Sequence, residues 1–286
     1  MNKILTLING KFKDSVSVLD RGLAYGDGFF ETMQWFGKNN ESLQGVEFWN
    51  RHFRRIIKSA KILKIKIPNK NIFAEYKKKI LTEAQKKKIY EGILKIIITR
   101  GVGGRGYSYE SNMKPTIIFI VFPNATSKRI ESVNVKFCKS AISDNADISG
   151  LKHLNRLDSV RARSELKNKK IFEGIFTDNN ENILEGTMTN IFFVKNKSLV
   201  TPSIKSSGIN GIMREVILVY GKKFFTEIVI REIKKNEIEN FDEMFLTNSI
   251  IKVLPVKKCG KKKFTISNST KKLINFFQEK KNLEIT

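Results

Sequence analysis

Apolar residues along this chain switch between two spacings, and the switches outline its elements. The segment Ile4-Leu-Thr-Leu-Ile8 runs into Asn9-Gly10, a pair that supplies the positive φ angles of a type I′ turn, so the start reads as a β-hairpin. Phe48, His52, Ile56, Ala60 and Leu63 recur every three or four positions and share one helical face. A second helix is expected over about 71–87. Two apolar runs, 93–99 and 116–122, have the length of buried strands and are split by a glycine-rich segment. Beyond a polar stretch with a turn-former, Pro123-Asn-Ala-Thr-Ser-Lys128, the pattern resumes. It predicts a strand at 133–137, a loop to Gly150, a helix from about Asn155, and strands near 173–177 and 190–194. A helix from about Gly211, strands near 226–231, 243–247 and 253–257, and a last amphipathic helix over about 270–280 complete it. The expected class is α/β in the mixed α+β sense. The expected domains are 1–122, a linker over 123–130, and 131–286.

The composition fits such a fold. Hydrophobic residues make up 41% and charged residues 28%, which is enough to form cores and too apolar for a disordered chain. No apolar run is long enough to span a bilayer, and Asn9-Gly10 interrupts the N-terminal apolar residues before a signal-peptide core could form. Two cysteines, Cys138 and Cys259, suggest neither a disulfide framework nor a metal site, and no metal is expected. The cytoplasm is the expected compartment. With 53 basic and 28 acidic residues the net charge is +25, which raises a basic nucleic-acid-binding module as a rival. The charge lies mostly in short lysine runs such as Lys77-Lys-Lys79, Lys86-Lys-Lys88 and Lys261-Lys-Lys263. With no helix-turn-helix, zinc or RNP-like pattern, these read as solvated faces, and specific nucleic-acid recognition is not expected.

Four segments carry the candidate chemistry: Asp20-Arg-Gly-Leu-Ala-Tyr-Gly-Asp-Gly-Phe-Phe-Glu-Thr32, Gly150-Leu-Lys-His-Leu-Asn-Arg156, Glu185-Gly-Thr-Met-Thr-Asn190, and Gly208-Ile-Asn-Gly-Ile-Met-Arg214. Taken singly each has a plain reading. Lys152 is one lysine among many, Glu185 follows a hairpin turn, and most glycine-led helix starts bind nothing. In this order they resemble the class-IV aminotransferase family, the fold-type IV enzymes that use pyridoxal 5'-phosphate (PLP) and share the D-amino acid aminotransferase-like two-domain fold. A fifth segment, Arg100-Gly-Val-Gly-Gly-Arg-Gly-Tyr107, resembles the branch of that family that cleaves 4-amino-4-deoxychorismate. Its glycines lead into a tyrosine and a polar loop, so it is no dinucleotide fingerprint.

The resemblance implies a set of roles. Lys152 would hold the cofactor's aldehyde and then move protons, a task suited to an amine whose pKa falls on desolvation. Glu185 would pair with the ring nitrogen and keep it protonated. Backbone N–H groups of Ile212 and Met213, at a helix start, would receive the phosphate. Arg51, Arg54 and Arg55 are all candidates for a phosphate contact, and alignment on His52 selects Arg55. Asn248 and Ser249 align with a segment that reaches phosphate and substrate. Arg105 would clamp a substrate carboxylate through its planar fork. Thr32 would face the cofactor, where its hydroxyl could orient a group or relay a proton, whereas Tyr25 and Phe30 read as core or wall residues. The implied substrate is 4-amino-4-deoxychorismate, the implied products are p-aminobenzoate and pyruvate, and a homodimer is expected. Branched-chain or D-amino acid transamination is the alternative within the same family.

Overall fold

A computed structural model describes residues 4–37, 45–123, 130–142, 145–205, 207–279 and 284. The chain forms two compact units: 1–127 with 152–155 and 282–286, and 128–151 with 156–281. The polar stretch expected to link two domains falls largely on 124–129, outside the described residues.

The first unit contains β1 (Leu5–Ile8), β2 (Lys11–Phe12), the short helix α1 (Arg21–Tyr25), β3 (Gly28–Phe36), β4 (Gly45–Val46), α2 (Trp49–Ile62), α3 (Lys70–Lys86), β5 (Glu91–Thr99) and β6 (Thr116–Pro123). Its sheet has the order β2-β1-β6-β5-β3-β4, with every pair antiparallel. The opening hairpin forms as the Asn-Gly pair requires, with Asn9 at φ 46° and Gly10 at φ 76°. Alternation then sorts each strand into two faces. Leu94, Ile96 and Ile98 of β5, with Phe29, Met33 and Trp35 of β3, are buried in one core with Trp49, Phe53 and Ile56 of α2 and Phe73 and Ile80 of α3. Phe30 and Thr32 of β3, and Ile93, Lys95 and Ile97 of β5, lie on the other, half-buried face.

The second unit contains β7 (Val133–Phe137), α4 (Leu157–Ser164), β8 (Ile171–Thr177), β9 (Ile183–Gly186), β10 (Asn190–Lys195), β11 (Ser198–Pro202), α5 (Ile212–Tyr220), β12 (Glu227–Arg231), β13 (Glu243–Asn248), β14 (Lys252–Cys259), β15 (Lys262–Lys263) and α6 (Asn268–Glu279). Its mixed sheet runs β12-β11-β10-β13-β14-β7-β8-β9, with β15 added on β14. The central strands β10 and β13 are buried on both faces, which is why they read as continuous apolar runs. Ile191, Phe193, Met244 and Leu246 enter one core, while Phe192 and Phe245 stack on the opposite side at 5.1 Å.

The helix expected from about Asn155 begins two residues later, at Leu157, because the preceding residues pair with β3. Phe30 N–H donates to the Lys152 carbonyl at 2.9 Å, and Leu154 N–H donates to the Gly28 carbonyl at 3.0 Å. This pairing with β3 takes the backbone groups that a helix would have used. It also groups Lys152–Asn155 with the first unit, whereas the sequence division puts Lys152 in the second domain.

Phe119 tests the first core. It is fully buried, with the rings of Phe73 and Tyr76 centred 6.2 and 6.1 Å away. Phe119→Ala should lower stability by about 3–5 kcal/mol through lost burial and the cavity left behind. A shift in the urea midpoint at unchanged m-value would register the loss.

Candidate active site

In the first unit, the Lys152 strand is brought to β3 by missing side chains. A Cβ at Gly28 would lie 2.3 Å from the Ile98 carbonyl and 2.9 Å from Leu154. A Cβ at Gly26, where φ is +64°, would lie 2.2 Å from the Asn155 side chain. The Gly26-Asp-Gly28 string is therefore a close-approach surface for residues 152–155. On it, the Lys152 ammonium sits 4.5 Å from the centroid of the Phe30 ring. A second ammonium, that of Lys95, sits 5.1 Å from the same centroid. Thr32 pairs in register with Lys95, so lysine, threonine and ring share one face. Burial holds Lys95 below the ordinary lysine range, and no carboxylate pairs with it among the described residues. The sequence reading missed Lys95. Its only signal is a lone charge inside the apolar run Ile93-Leu-Lys-Ile-Ile-Ile98.

The structure separates the three candidate arginines of α2. Arg54 is exposed. Arg51 makes a two-point pair with Glu284, at 2.7 and 2.6 Å. Arg55 is buried and makes a two-point pair with Glu31 of β3, at 2.6 and 2.7 Å. His52, one turn earlier on the same helical face, meets Glu31 through Nδ1 at 2.6 Å. Arg105 is exposed in the glycine-rich loop, with no hydrogen bond or ion pair from its side chain among the described residues.

In the second unit, Glu185 is buried at the end of β9. Its Oε2 accepts the Ile209 N–H at 2.8 Å and faces the Asn190 amide at 3.4 Å. Asn190 Nδ2 also donates to the Ile209 carbonyl at 2.9 Å, tying the Glu185–Asn190 segment to the turn before α5. Two guanidiniums feel this carboxylate. Burial holds Arg156 and Arg214 below the ordinary arginine range, and Glu185 is among the charges that counter it. Arg214 donates to the Pro202 carbonyl at 3.0 Å and lies 3.4 Å from Asn210 Oδ1, bracing the start of α5. Gly211 caps that start, where a Cβ would lie 2.0 Å from Asn190 Oδ1. Among the described residues no side chain of the N-cap position caps the first turn. Ile212 and Met213 bury their side chains, so their backbone N–H groups are what they offer a ligand.

Asn248 and Ser249 follow β13. Asn248 Oδ1 accepts the N–H groups of Ile250 and Ile251, both at 2.9 Å, and Nδ2 donates to the Met188 carbonyl at 3.1 Å. Asn248 thus shapes its own turn and reaches the Glu185–Asn190 loop. Ser249 offers its carbonyl to the Lys252 ammonium at 2.6 Å. Glu173, which the sequence reading also missed, is fully buried beneath that loop. It accepts hydrogen bonds from the Thr187 and Thr189 hydroxyls and from the Met188 N–H.

These groups suit PLP. An amine for the aldehyde, a buried carboxylate for the ring nitrogen, and an uncapped helix start with a glycine where a Cβ would clash are each present. The Glu31 pair yields a stability prediction. Burial alone would raise the Glu31 carboxyl, but the charge and hydrogen bonds of Arg55, with those of His52, outweigh it and hold the group at about 2 against an ordinary 4.5. A depressed carboxyl stabilises the fold above its unfolded pKa. That contribution, on the order of 3 kcal/mol, is lost as pH falls from about 4.5 towards about 2. Glu31→Gln should cost about 3–5 kcal/mol at neutral pH by leaving Arg55 buried without its counter-charge. The gap between variant and wild type in urea titrations should narrow across that acid window.

Comparisons with known proteins identify the family. The sequence family described as amino-transferase class IV matches residues 28–259. A putative branched-chain-amino-acid aminotransferase of Methanocaldococcus jannaschii is 32% identical over 87% of this chain and 85% of its own. An aminodeoxychorismate lyase of Vibrio harveyi is 29% identical over 87% of this chain and 89% of its own. The crystal structure of 4-amino-4-deoxychorismate lyase from Pseudomonas aeruginosa superposes with a TM-score of 0.87 at 28% identity, covering 97% of this chain and all of that one. The chain belongs to the amino-transferase class IV family, with the fold of the fold-type IV enzymes and pyridoxal 5'-phosphate as the family's cofactor.

Proposed function

We propose that this protein is a PLP-dependent lyase that converts 4-amino-4-deoxychorismate to p-aminobenzoate and pyruvate, serving folate synthesis as a cytoplasmic homodimer. The observation that carries the reading is Lys95, a half-buried ammonium beside the Phe30 ring with no carboxylate to pair with among the described residues. A branched-chain side chain would leave that cation facing hydrocarbon, at the cost of an unpaired, desolvated charge. The substrate proposed here carries two carboxylates. Arg105 and Lys95 provide one cation for each. The exposed apolar residues Val18, Leu19, Leu23 and Val102 of the first unit support burial against a second copy.

The roles follow from the chemistry of each group. Bound PLP supplies an electron sink for charge developing on the carbon that bears the amine. Lys152 would hold the cofactor, and its side-chain amine would take the proton from that ring carbon. Glu185 keeps the pyridine nitrogen protonated, and its hydrogen bonds from Ile209 and Asn190 hold it oriented for that task. Arg55 and the first N–H groups of α5 hold the phosphate. Thr32 orients the transferred proton. The C–O bond to the enolpyruvyl group breaks as the ring becomes aromatic, and the released enol takes up a proton to become pyruvate.

The deciding experiment gives the purified holoprotein 4-amino-4-deoxychorismate and measures p-aminobenzoate and pyruvate. In parallel, a branched-chain or D-amino acid is supplied with 2-oxoglutarate and glutamate is measured. Equimolar p-aminobenzoate and pyruvate are expected; efficient glutamate formation without p-aminobenzoate would instead identify an aminotransferase. Lys152→Ala should lose turnover together with the yellow cofactor absorbance. Lys95→Met should keep that absorbance and lower kcat/KM for the dicarboxylate by roughly 10- to 100-fold, the value of a charged hydrogen bond. Glu185→Gln should fold and bind PLP but turn over about 10²–10³-fold more slowly.

A further inference from the structure

Arg21 has no part in the reaction proposed above, yet it is among the most heavily engaged side chains of the first unit. It opens α1 and is only 4% exposed, so its charge is withdrawn from water. Four of its five N–H groups have partners. Nε donates to Asp27 at 2.9 Å, Nη1 to the carbonyls of Gly106 and Ser108 at 2.9 and 3.2 Å, and Nη2 to the Tyr107 carbonyl at 3.0 Å. Asp27 also accepts from Arg100, at 2.7 and 3.0 Å, and Arg100 donates onward to the carbonyls of Leu63 and Lys64 just beyond α2. The pair therefore joins the glycine-rich loop to the helical layer.

The rest of the loop is fastened to the same segment. Arg21 N–H donates to the Gly101 carbonyl at 2.9 Å, and Gly103 N–H donates to the Leu19 carbonyl at 3.1 Å. The Tyr25 hydroxyl accepts the Gly106 N–H at 2.9 Å. A Cβ at Gly103 would lie 2.9 Å from Arg21 Cδ, so the backbone passes directly over the arginine. Tyr109 lies over the Arg100 guanidinium at 3.7 Å, whereas two other side chains of the loop reach solvent. Tyr107 is 85% exposed, and Arg105 is exposed with its guanidinium unengaged among the described residues. Exposed glycine-rich loops are ordinarily the mobile parts of a fold. This one has three successive carbonyls fixed on a single buried cation, which could not remain buried without them.

We infer that Arg21 is a positioning residue that fixes the backbone from Gly104 to Ser108 and so orients Arg105 before an anionic substrate arrives. The inference rests on the reading of Arg105 as the carboxylate clamp. The physical gain is preorganisation: the loop's ordering entropy is lost at folding and not at binding, and a misplaced clamp weakens substrate use more than it weakens cofactor binding. Asp27 orients Arg21 in turn. A lysine at position 21 would keep the charge and could still meet Asp27, but an ammonium cannot span three carbonyls with a planar fork.

The test uses the PLP-loaded protein and the Arg21→Lys, Arg105→Ala and double variants. Hydrogen–deuterium exchange of the 101–109 amides is read beside kcat, KM and cofactor absorbance. In Arg21→Lys, loop exchange should rise about 10-fold or more while β3 and β5 keep wild-type protection and absorbance is unchanged. KM for 4-amino-4-deoxychorismate should rise on the order of 10- to 100-fold, more than kcat falls. The double variant should be no worse than Arg105→Ala, because both changes act through one contact. Gly103→Ala, which crowds Arg21 without removing charge, should move exchange and KM in the same direction. Wild-type loop exchange in both Arg21→Lys and Gly103→Ala, or additive losses in the double variant, would overturn the inference. An unchanged KM in Arg105→Ala, with the loop still loosened by Arg21→Lys, would instead overturn the clamp reading of Arg105 and leave Arg21's hold on the backbone standing.

Discussion

A carboxylate cannot remain charged inside a protein unless donors replace the water it has lost, and this requirement organises both units. Glu31 holds Arg55 and His52 on one face of α2. Asp27 holds Arg21 and Arg100, and through them the glycine-rich loop. Glu173 gathers two hydroxyls and a backbone N–H from the loop that follows Glu185. Glu185 is itself fixed from the turn before α5. In a chain with 53 basic and 28 acidic residues, cations are abundant and buried anions are what place them. With more cations than carboxylates, an unpaired cation in water is ordinary, but one withdrawn from water is informative. Lys95 is such a cation, half-buried with no carboxylate partner among the described residues.

Local signals in the sequence were readable where local physics decides. The Asn9-Gly10 hairpin, the helical face through Phe48, His52, Ile56 and Ala60, and the apolar runs of β5 and β6 needed nothing from distant residues. The helix expected from about Asn155 forms but starts two residues later, at Leu157, because a long-range backbone pairing with Gly28 and Phe30 holds residues 152–154 extended. Strand β3 was hidden in the same way: it begins at Gly28, inside the Asp20–Thr32 motif with its three glycines, and declares itself only by pairing along its whole length with β5.

The candidate site was legible as motifs and illegible as a network. Lys152, Glu185 and Gly211 announce themselves through the order of four segments. Arg21 does not, since the carbonyls it holds lie more than eighty residues later in the chain. Glu173 gives no hint that it lies beneath Thr187 and Thr189. Lys95 is one lysine in a chain crowded with them, and only its position on the inner edge of an apolar strand, beside the ring that Lys152 also touches, separates it from the others.

The two populations of positive charge act on different steps. The exposed lysine runs create a long-range field that salt screens within about 8–10 Å, enough to raise the encounter rate of a dianion without telling one dianion from another. Selectivity requires charges whose places are fixed and whose solvation is already reduced. Lys95 meets that condition by burial against Phe30. Arg105 meets only the first part: its head remains in water while Arg21 holds the backbone beneath it. One cation is thus set by the sheet and the other by a loop that a buried arginine holds rigid. A dicarboxylate can engage both cations at once, whether it is the amine-bearing ring of the lyase reaction or the 2-oxoglutarate of a transamination, so what separates the two reactions is the bond that breaks after the proton is removed.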